Sequence, residues 1–522
     1  MKTSWLSRFN RRDVFRASGA GLISAVAARL PLAATQAAGA GNIYERIGVR
    51  PIINCRGTFT IISGSQTLEE VKRAMDEGSR HYVHLDELMD AVGKRLAELT
   101  QAEWGIVTAG CAAALTHATA ACIAGADPEK MQRLPTDMPG LKTEVVIPRP
   151  SRNVYDHAVR MLGVKILTPN SREEFLAALR PSTAMVMLLG ETLRQHPMTL
   201  PEMAEAAHAR NIPIIVDAAA ERLTIPNVYL TAGADMVAYS GGKCLRGPQC
   251  AGLLLGRKDL LKAAWLNSAP HHAFGRSMKV GKEEIMGMLA AVEAWVRRDH
   301  DAEWKEWEGW LETIRRRLAS IPTVRSEITK PAGPSNMAPM LRVYWDAAKV
   351  GLTGPQLAEA LDTGHPRIHL VGTSQAGGRG ESSFSINPYM MMPGEDKIVA
   401  DRIYEVFTHP PAQAAPPDLP PSVQVSGRWD AVLKFDYGEA RHTLYLEQSA
   451  ERLAGTHYGE FLSGELRGTV SGNRVRFRSS HRYEGTSLGY SFDAVLADGV
   501  LSGTVDLGEY GQAQFTAKKR FA

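Results

Sequence analysis

The sequence predicts an α/β fold: a mostly parallel sheet in a large domain, a smaller α+β domain beside it, and a C-terminal antiparallel β-barrel-like domain. Three observations predict this. Short apolar runs alternate with helical stretches through the first half of the chain. A Pro- and Ala-rich segment then interrupts the pattern, and the last hundred residues turn into short alternating strands with glycine turns. The length of 522 residues is too great for one core, given about 100–200 residues per domain. Apolar residues at 44% and charged residues at 22% are ordinary globular composition. They exclude a chain disordered throughout, a collagen and a multi-span membrane protein.

The first domain rests on apolar runs at 104–107, 144–147, 184–189, 212–216, 236–239 and 252–255, which read as buried strands. Helical stretches such as 172–179 and 201–210 lie between several of them. Continuous apolar strands alternating with helices imply a mostly parallel sheet covered on both faces. This large domain is placed at 41–300. A long helical stretch over 282–318, carrying Trp295, Trp304, Trp307 and Trp310, bridges to a small α+β domain within 301–408; the tryptophans read as packing. Residues 409–421 hold six prolines, and such a stretch is a stiff linker. In 422–522, Arg474-Val475-Arg476-Phe477-Arg478 puts Val475 and Phe477 on one face and the arginines on the other. A short repeat recurs at Leu453-Ala454-Gly455-Thr456, Leu466-Arg467-Gly468-Thr469 and Leu501-Ser502-Gly503-Thr504. With turn signals at Gly472-Asn473 and Asp498-Gly499, it reads as an antiparallel meander closing into a small barrel.

The formal charge of +4 and the sequence pI of about 8.7 invite a nucleic-acid reading. The excess sits at the front. Residues 1–40 carry Lys2, Arg8, Arg11, Arg12, Arg16 and Arg29 against Asp13 alone, so residues 41–522 are close to neutral. The segment is also organised as an address. Arg11-Arg12-Asp13-Val14-Phe15-Arg16 is a twin-arginine pattern, 17–28 is a weakly apolar run too short to span a bilayer, and Ala38-Gly39-Ala40 offers a small-residue cleavage site. An export signal handed to the twin-arginine translocase is expected, and a periplasmic or otherwise exported protein; an amphipathic N-terminal helix or a retained anchor is the alternative. The five cysteines are odd in number and confined to the first half, so they read as buried small hydrophobes rather than a disulfide scaffold. No Cys/His set has zinc-ligand spacing, and no metal is expected.

Three features carry chemistry. Asp235 to Gly256 contains a strand ending in Ser240-Gly241-Gly242 with Lys243 on the turn, and a second apolar strand after Arg246-Gly247-Pro248. Asp217 stands at the end of the strand Ile212-Pro213-Ile214-Ile215-Val216, where parallel sheets bind ligands; a helix N-cap is its bland alternative. Thr108-Ala109-Gly110-Cys111-Ala112 takes a strand into a helix N-terminus, whose amides and dipole make an anion site. In the order phosphate turn, aspartate, lysine, these define a pyridoxal-phosphate site. Lys243 forms the internal Schiff base, Asp217 pairs with the pyridine nitrogen, and Thr108, Gly110, Cys111 and Ala112, with Ser240 beside the lysine, hold the cofactor.

The chain resembles the fold-type-I pyridoxal-phosphate enzymes related to bacterial selenocysteine synthase (L-seryl-tRNA selenium transferase), and within them the D-glucosaminate-6-phosphate ammonia-lyase-like branch. The resemblance covers about residues 42–408. It is carried by Pro51-Ile52-Ile53-Asn54-Cys55-Arg56-Gly57-Thr58, Val216-Asp217-Ala218-Ala219-Ala220-Glu221, Ser240-Gly241-Gly242-Lys243 with Arg246-Gly247-Pro248-Gln249, and the segment from Gly275 to Glu284. It implies that Lys243 is the Schiff-base lysine and Asp217 the pyridine partner. It implies that Arg276 and Lys279 face an anionic group of substrate or cofactor. By analogy with fold-type-I transaminases, Arg367 would clamp a carboxylate. A ring-stacking residue is expected after residue 148, with Arg152, Asn153 and His157 as candidates. The expected function is an enzyme acting on a small amino acid or amino sugar acid through an α-carbanion, with elimination and loss of ammonia, working as a homodimer or higher homo-oligomer. Selenium transfer, transamination or racemisation, and a non-catalytic binding protein using the barrel, are the alternatives. Near-neutral charge beyond residue 40 argues against nucleic acid as a partner.

Overall fold

A computed structural model describes residues 42–375, 381–411 and 419–520. The twin-arginine segment, the middle of the Pro-rich linker and the glycine-rich 376–380 lie outside the described residues. The chain divides at residue 51: residues 42–51 contain a single 3-10 turn, Glu45–Ile47, and everything from Ile52 onward forms one unit.

The first strand of that unit, β1 (Ile52–Cys55), stands apart from the large sheet. The large sheet has seven strands: β2 (Trp104–Thr108), β3 (Glu144–Val146), β4 (Lys165–Leu167), β5 (Thr183–Leu189), β6 (Ile214–Asp217), β7 (Met236–Ser240) and β8 (Gly252–Gly256). Their order is β2-β8-β7-β6-β5-β3-β4. β8 alone runs against its neighbours β2 and β7; the other pairs are parallel. β2, β6 and β8 are buried along their whole length, so each reads as an unbroken apolar run. β4 has no such run: it is three residues long and half-exposed, and pattern alone does not find it. The helix Cys111–Ala124 is buried nearly all round. Its alanines let it lie close under the sheet, as expected of a helix apolar on every side.

The small lobe has a four-stranded antiparallel sheet, β9 (Arg325–Thr329), β10 (Met340–Asp346), β12 (Gly372–Gln375) and β13 (Glu381–Ile386), and between them in sequence β11 (Arg367–Leu370). β11 pairs in parallel with β1. Ile53 and Cys55 therefore join the second apolar core, with Leu341, Val343 and Phe384, and not the core of the large sheet. The large domain expected to begin at residue 41 thus gives its first strand to the small lobe. The expected helix over 282–318 is two helices, Lys282–Arg297 and His300–Leu318. Arg298 turns extended, and the Asp299 carboxylate accepts from the N–H groups of Asp301 (3.2 Å) and Ala302 (3.0 Å). An aspartate cap of this kind starts a new helix. Trp295 packs in the first core, while Leu311, Ile314 and Leu318 pack in the second.

Residues 427–519 form a closed antiparallel barrel of eight strands: β14 (Gly427–Lys434), β15 (Glu439–Ser449), β16 (Arg452–Tyr458), β17 (Ser463–Ser471), β18 (Arg474–Tyr483), β19 (Thr486–Ala497), β20 (Val500–Asp506) and β21 (Gln512–Lys519). Closure removes both sheet edges. The interior holds Trp429, Phe477, Phe492 and Phe515, and at one level a chain of buried polar contacts. His442 Nδ1 meets His457 Nε2 at 2.8 Å, and His457 Nδ1 meets Ser479 Oγ at 2.6 Å. Burial, then neighbouring histidines, push His457 down to about 2, so the chain of rings is neutral. Among the described residues no group of three His, Cys, Asp or Glu side chains could hold a metal ion.

The short repeat in the barrel has a steric cause. A Cβ on Gly455, Gly468 or Gly503 would stand 1.8, 2.0 and 2.0 Å from a carbonyl oxygen of the adjacent strand. These are the kinks that let short strands curl into closure. Gly468→Ala is expected to lower the barrel's stability by about 1–3 kcal/mol in denaturant unfolding. Gly489→Ala, where a Cβ meets nothing within 4 Å, is the control and should change little.

Candidate active site

The site is built where β2, β6 and β7 end. β2 finishes at Thr108, and Gly110 takes φ +93° to start the Cys111–Ala124 helix. Thr108 Oγ1 donates to the Gly110 carbonyl (2.9 Å). No side chain caps this helix, and its first backbone bond is Ala114 N–H to Gly110 O (3.1 Å). The first N–H groups of a helix have no partner within it, and together with the dipole they hold an anion. Ala112 is the exposed residue of an otherwise buried helix start, so this end opens outward. β8 makes room for the turn: a Cβ on Gly252 would lie 2.4 Å from the Gly110 carbonyl carbon and 2.6 Å from Cys111 N.

Asp217 ends β6 and is 2% exposed. Its Oδ1 accepts from Ala219 N–H (3.0 Å) and from the Cys111 thiol (3.6 Å). Burial raises the carboxyl above its ordinary value, opposed by the Ala219 N–H and the charge of Lys243. The Cys111 thiol is pushed well up by burial and then by Asp217, so it stays protonated and donates. The sequence placed Cys111 at the phosphate through its backbone; the structure adds a side-chain role as the orienter of Asp217.

Lys243 is half-buried on the turn that follows β7. Its charge reaches both Asp217 and Cys111, so the helix start at Cys111, the aspartate and the lysine converge. The turn is fixed from outside. A Cβ on Gly242 would sit 2.3 Å from Gln249 Oε1, and the Gln249 amide donates to Ser65 O (2.6 Å) and Ser65 Oγ (3.1 Å). Ser240 N–H, at the strand's end, donates to Ala219 O (3.2 Å), which ties the lysine strand to the aspartate loop.

The remaining predicted residues stand on other segments, each with partners of its own or exposed. Arg276 and Lys279 are both exposed on the segment before the Lys282–Arg297 helix. Arg367 stands on β11, its Nε bonded to Asp362 Oδ1 (2.8 Å), a carboxylate shared with His369. Of the three stacking candidates, Arg152 is held by Asp156, Thr168 and Glu484. Asn153 is a helix cap for Tyr155 N–H (2.7 Å). His157 is exposed, its Nδ1 3.2 Å from Arg160 Nη2. This segment also receives the barrel. The β18–β19 hairpin presses Gly485 onto Asn153 so closely that a Cβ would be 2.0 Å from the Asn153 carbonyl oxygen, and Arg160 lies over the Tyr483 ring at 5.6 Å.

One acid escaped notice as a chemical group. Glu221, four residues after Asp217, is 2% exposed. Tyr229 donates its hydroxyl to Oε2, and Oε1 has no partner. Two acids bracketing three alanines was the available signal. Burial raises the carboxyl from 4.5 to about 7. Between those values the folded chain keeps a proton that the unfolded chain releases. The stabilisation is therefore complete below about pH 4.5 and lost as pH rises through about 7. Glu221→Gln should flatten this part of the stability profile and exceed the wild type at pH 8 by about 2–3 kcal/mol. Thermal unfolding from pH 5 to 8 checks it.

The profile of the family Aminotransferase class-V matches residues 163–280, which contain Asp217 and Lys243. A D-glucosaminate-6-phosphate ammonia lyase of Salmonella typhimurium is 27% identical over 380 residues, 70% of this chain and 98% of that protein. A 5'-C-glycyluridine monooxygenase-decarboxylase of a Streptomyces species is 29% identical over 377 residues, 70% of this chain and 92% of that protein. A solved structure of D-glucosaminate-6-phosphate ammonia-lyase superposes with a TM-score of 0.62 at 27% identity, covering 71% of this chain and 99% of its own. The architecture is that of the fold-type-I pyridoxal-phosphate-dependent enzymes, and the chain is an enzyme whose cofactor is pyridoxal 5'-phosphate.

Proposed function

We propose that this protein is an exported lyase that removes ammonia from a small amino acid or amino sugar acid, acting as a homodimer or higher homo-oligomer. The observation that carries the reading is the convergence of Lys243, buried Asp217 and an uncapped helix start in a chain similar to almost the whole of an ammonia lyase. When bound, the cofactor supplies an electron sink for negative charge at the substrate's α-carbon. The backbone N–H groups of Cys111 and Ala112 bind its phosphate. Asp217, oriented by Cys111 and Ala219, holds a proton at the pyridine nitrogen. Lys243 Nζ takes the proton from the substrate's α-carbon and is the base of the reaction. His157 covers the ring, Arg276 and Lys279 bind an anionic group of the substrate, and Arg367 its carboxylate. Export is supported by the Arg11-Arg12 segment and by the near-neutral charge of the chain behind it; the twin-arginine route carries folded proteins, which suits an enzyme that takes up its cofactor before export.

Lys243→Ala should abolish both the visible absorption band of the cofactor-loaded protein and ammonia release from amino sugar acids. A wild type that shows neither after loading overturns the proposal. A band with racemised or transaminated product and no ammonia overturns only the elimination step. For export, changing Arg11 and Arg12 to Lys should leave the precursor in the cytoplasm; undiminished export of that variant refutes the route.

A further inference from the structure

Beside the lysine turn lies a cavity of about 190 Å³. Its charged lining is Arg246, from the turn, Arg298, from the break between the two long helices, and Glu303 and Glu306, from the second of those helices. Its apolar wall is Trp307 and Trp310 from the His300–Leu318 helix, with Met391 and Met392 of the small lobe. Lys243 and Asp217 do not line it.

The cavity sets two arginines against two glutamates, yet not every guanidinium donor finds an acceptor. Arg298 is 17% exposed. Its Nη2 donates to Cys244 O (3.2 Å), but Nε and Nη1 are buried and make no hydrogen bond. Glu303 Oε1 is 3.3 Å from Nε, near enough for attraction but out of line for a bond, and Glu303 also meets His300 Nδ1 at 3.1 Å. Arg246 donates Nε to Gln66 O (3.1 Å) and directs Nη2 at the Met392 sulfur (3.9 Å), a weak acceptor. Burial, and after it the charge of Arg298, brings the pKa of Arg246 below its ordinary value, so the two guanidinium groups feel one another. Glu306, the other acid in the lining, is exposed. Leaving guanidinium donors buried and unpaired is costly, and a carboxylate is the group that fits their planar fork. Indole rings and thioethers opposite them accept an apolar body.

We propose that this cavity is a binding site for a small organic carboxylate with an apolar body, its carboxylate held by Arg298 and Arg246 and its apolar part resting on Trp307 and Trp310. The site stands on its own geometry and does not depend on the ammonia-lyase reading. Its ligand would touch the lysine turn, the helix break and the small lobe at once.

Calorimetric titration of the full-length, cofactor-loaded protein with benzoate tests it, with neutral benzamide as the matched probe. Benzoate should bind one to one, and benzamide at least about tenfold more weakly. Arg298→Met should weaken benzoate at least about tenfold, the scale expected for removing one partner of a buried charge pair. Trp310→Ala, which spares the arginines, should weaken both probes. Affinity for benzoate should be the same with and without saturating pyridoxal phosphate, and the same in Arg276→Ala. Absence of benzoate binding, equal affinity for benzamide, or undiminished binding in a folded Arg298→Met overturns the proposal. Displacement by the cofactor, or loss in Arg276→Ala, places the benzoate in the catalytic site and also overturns it. The comparison of the two probes on wild-type protein decides the charge requirement even if a variant fails to fold.

Discussion

A carboxylate taken out of water at the end of β6 is the constraint around which the large domain is arranged. Isolated in an apolar core, such a group would take up a proton. Asp217 is instead met by a backbone N–H, a thiol and the charge of Lys243. These partners come from three places: the loop after β6, the start of the Cys111–Ala124 helix and the turn after β7. Each must therefore be placed accurately, and the sheet is what places them. The parallel registers set Leu189 beside Asp217 and Asp217 beside Ala238, so successive strand ends come to one edge. In the proposed function the uncapped helix start would hold the cofactor's phosphate and the buried acid its ring nitrogen.

Close approach to a bare backbone is the second theme. Gly252 lets the Gly110 turn lie against β8, and Gly242 lets the Gln249 side chain lie against the backbone of the lysine turn. The same device recurs in the barrel, where the glycines of its repeat sit against the carbonyls of the next strand. In the catalytic domain the approach brings chemistry together; in the barrel it only closes a sheet. Glycine in both places is a statement about space and not about sequence motif.

The barrel is not a free appendage. Its β18–β19 hairpin reaches Arg152, Asn153 and Arg160 on the segment that follows β3. Arg152 is bonded at once to Asp156, Thr168 and Glu484. The segment that covers the cofactor in the proposed function is therefore braced by the barrel. The interior of the barrel is occupied by aromatic and histidine side chains, which makes it a packed core with an outer surface available for contact.

By itself the sequence determined those features that are local in the chain. Unbroken apolar runs gave the buried strands, Gly-Gly-Lys after a strand gave the lysine turn, and alternation at Val475 and Phe477 gave the barrel. The pairing of Lys243 with Asp217 was legible too, because strand ends in a parallel sheet share an edge. Contacts between residues far apart in sequence were decided by the tertiary structure. β1 pairs with a strand more than three hundred residues away, which no local pattern records. The break at Asp299 depends on a side chain choosing to cap over continuing a helix, a choice worth about 1 kcal/mol that periodicity does not register. Glu221 reads as an ordinary helix acid until burial raises it to about 7, and Arg298 reads as a surface arginine until two aromatic rings and the small lobe close over it. Charge, in this chain, takes its meaning from what folds around it.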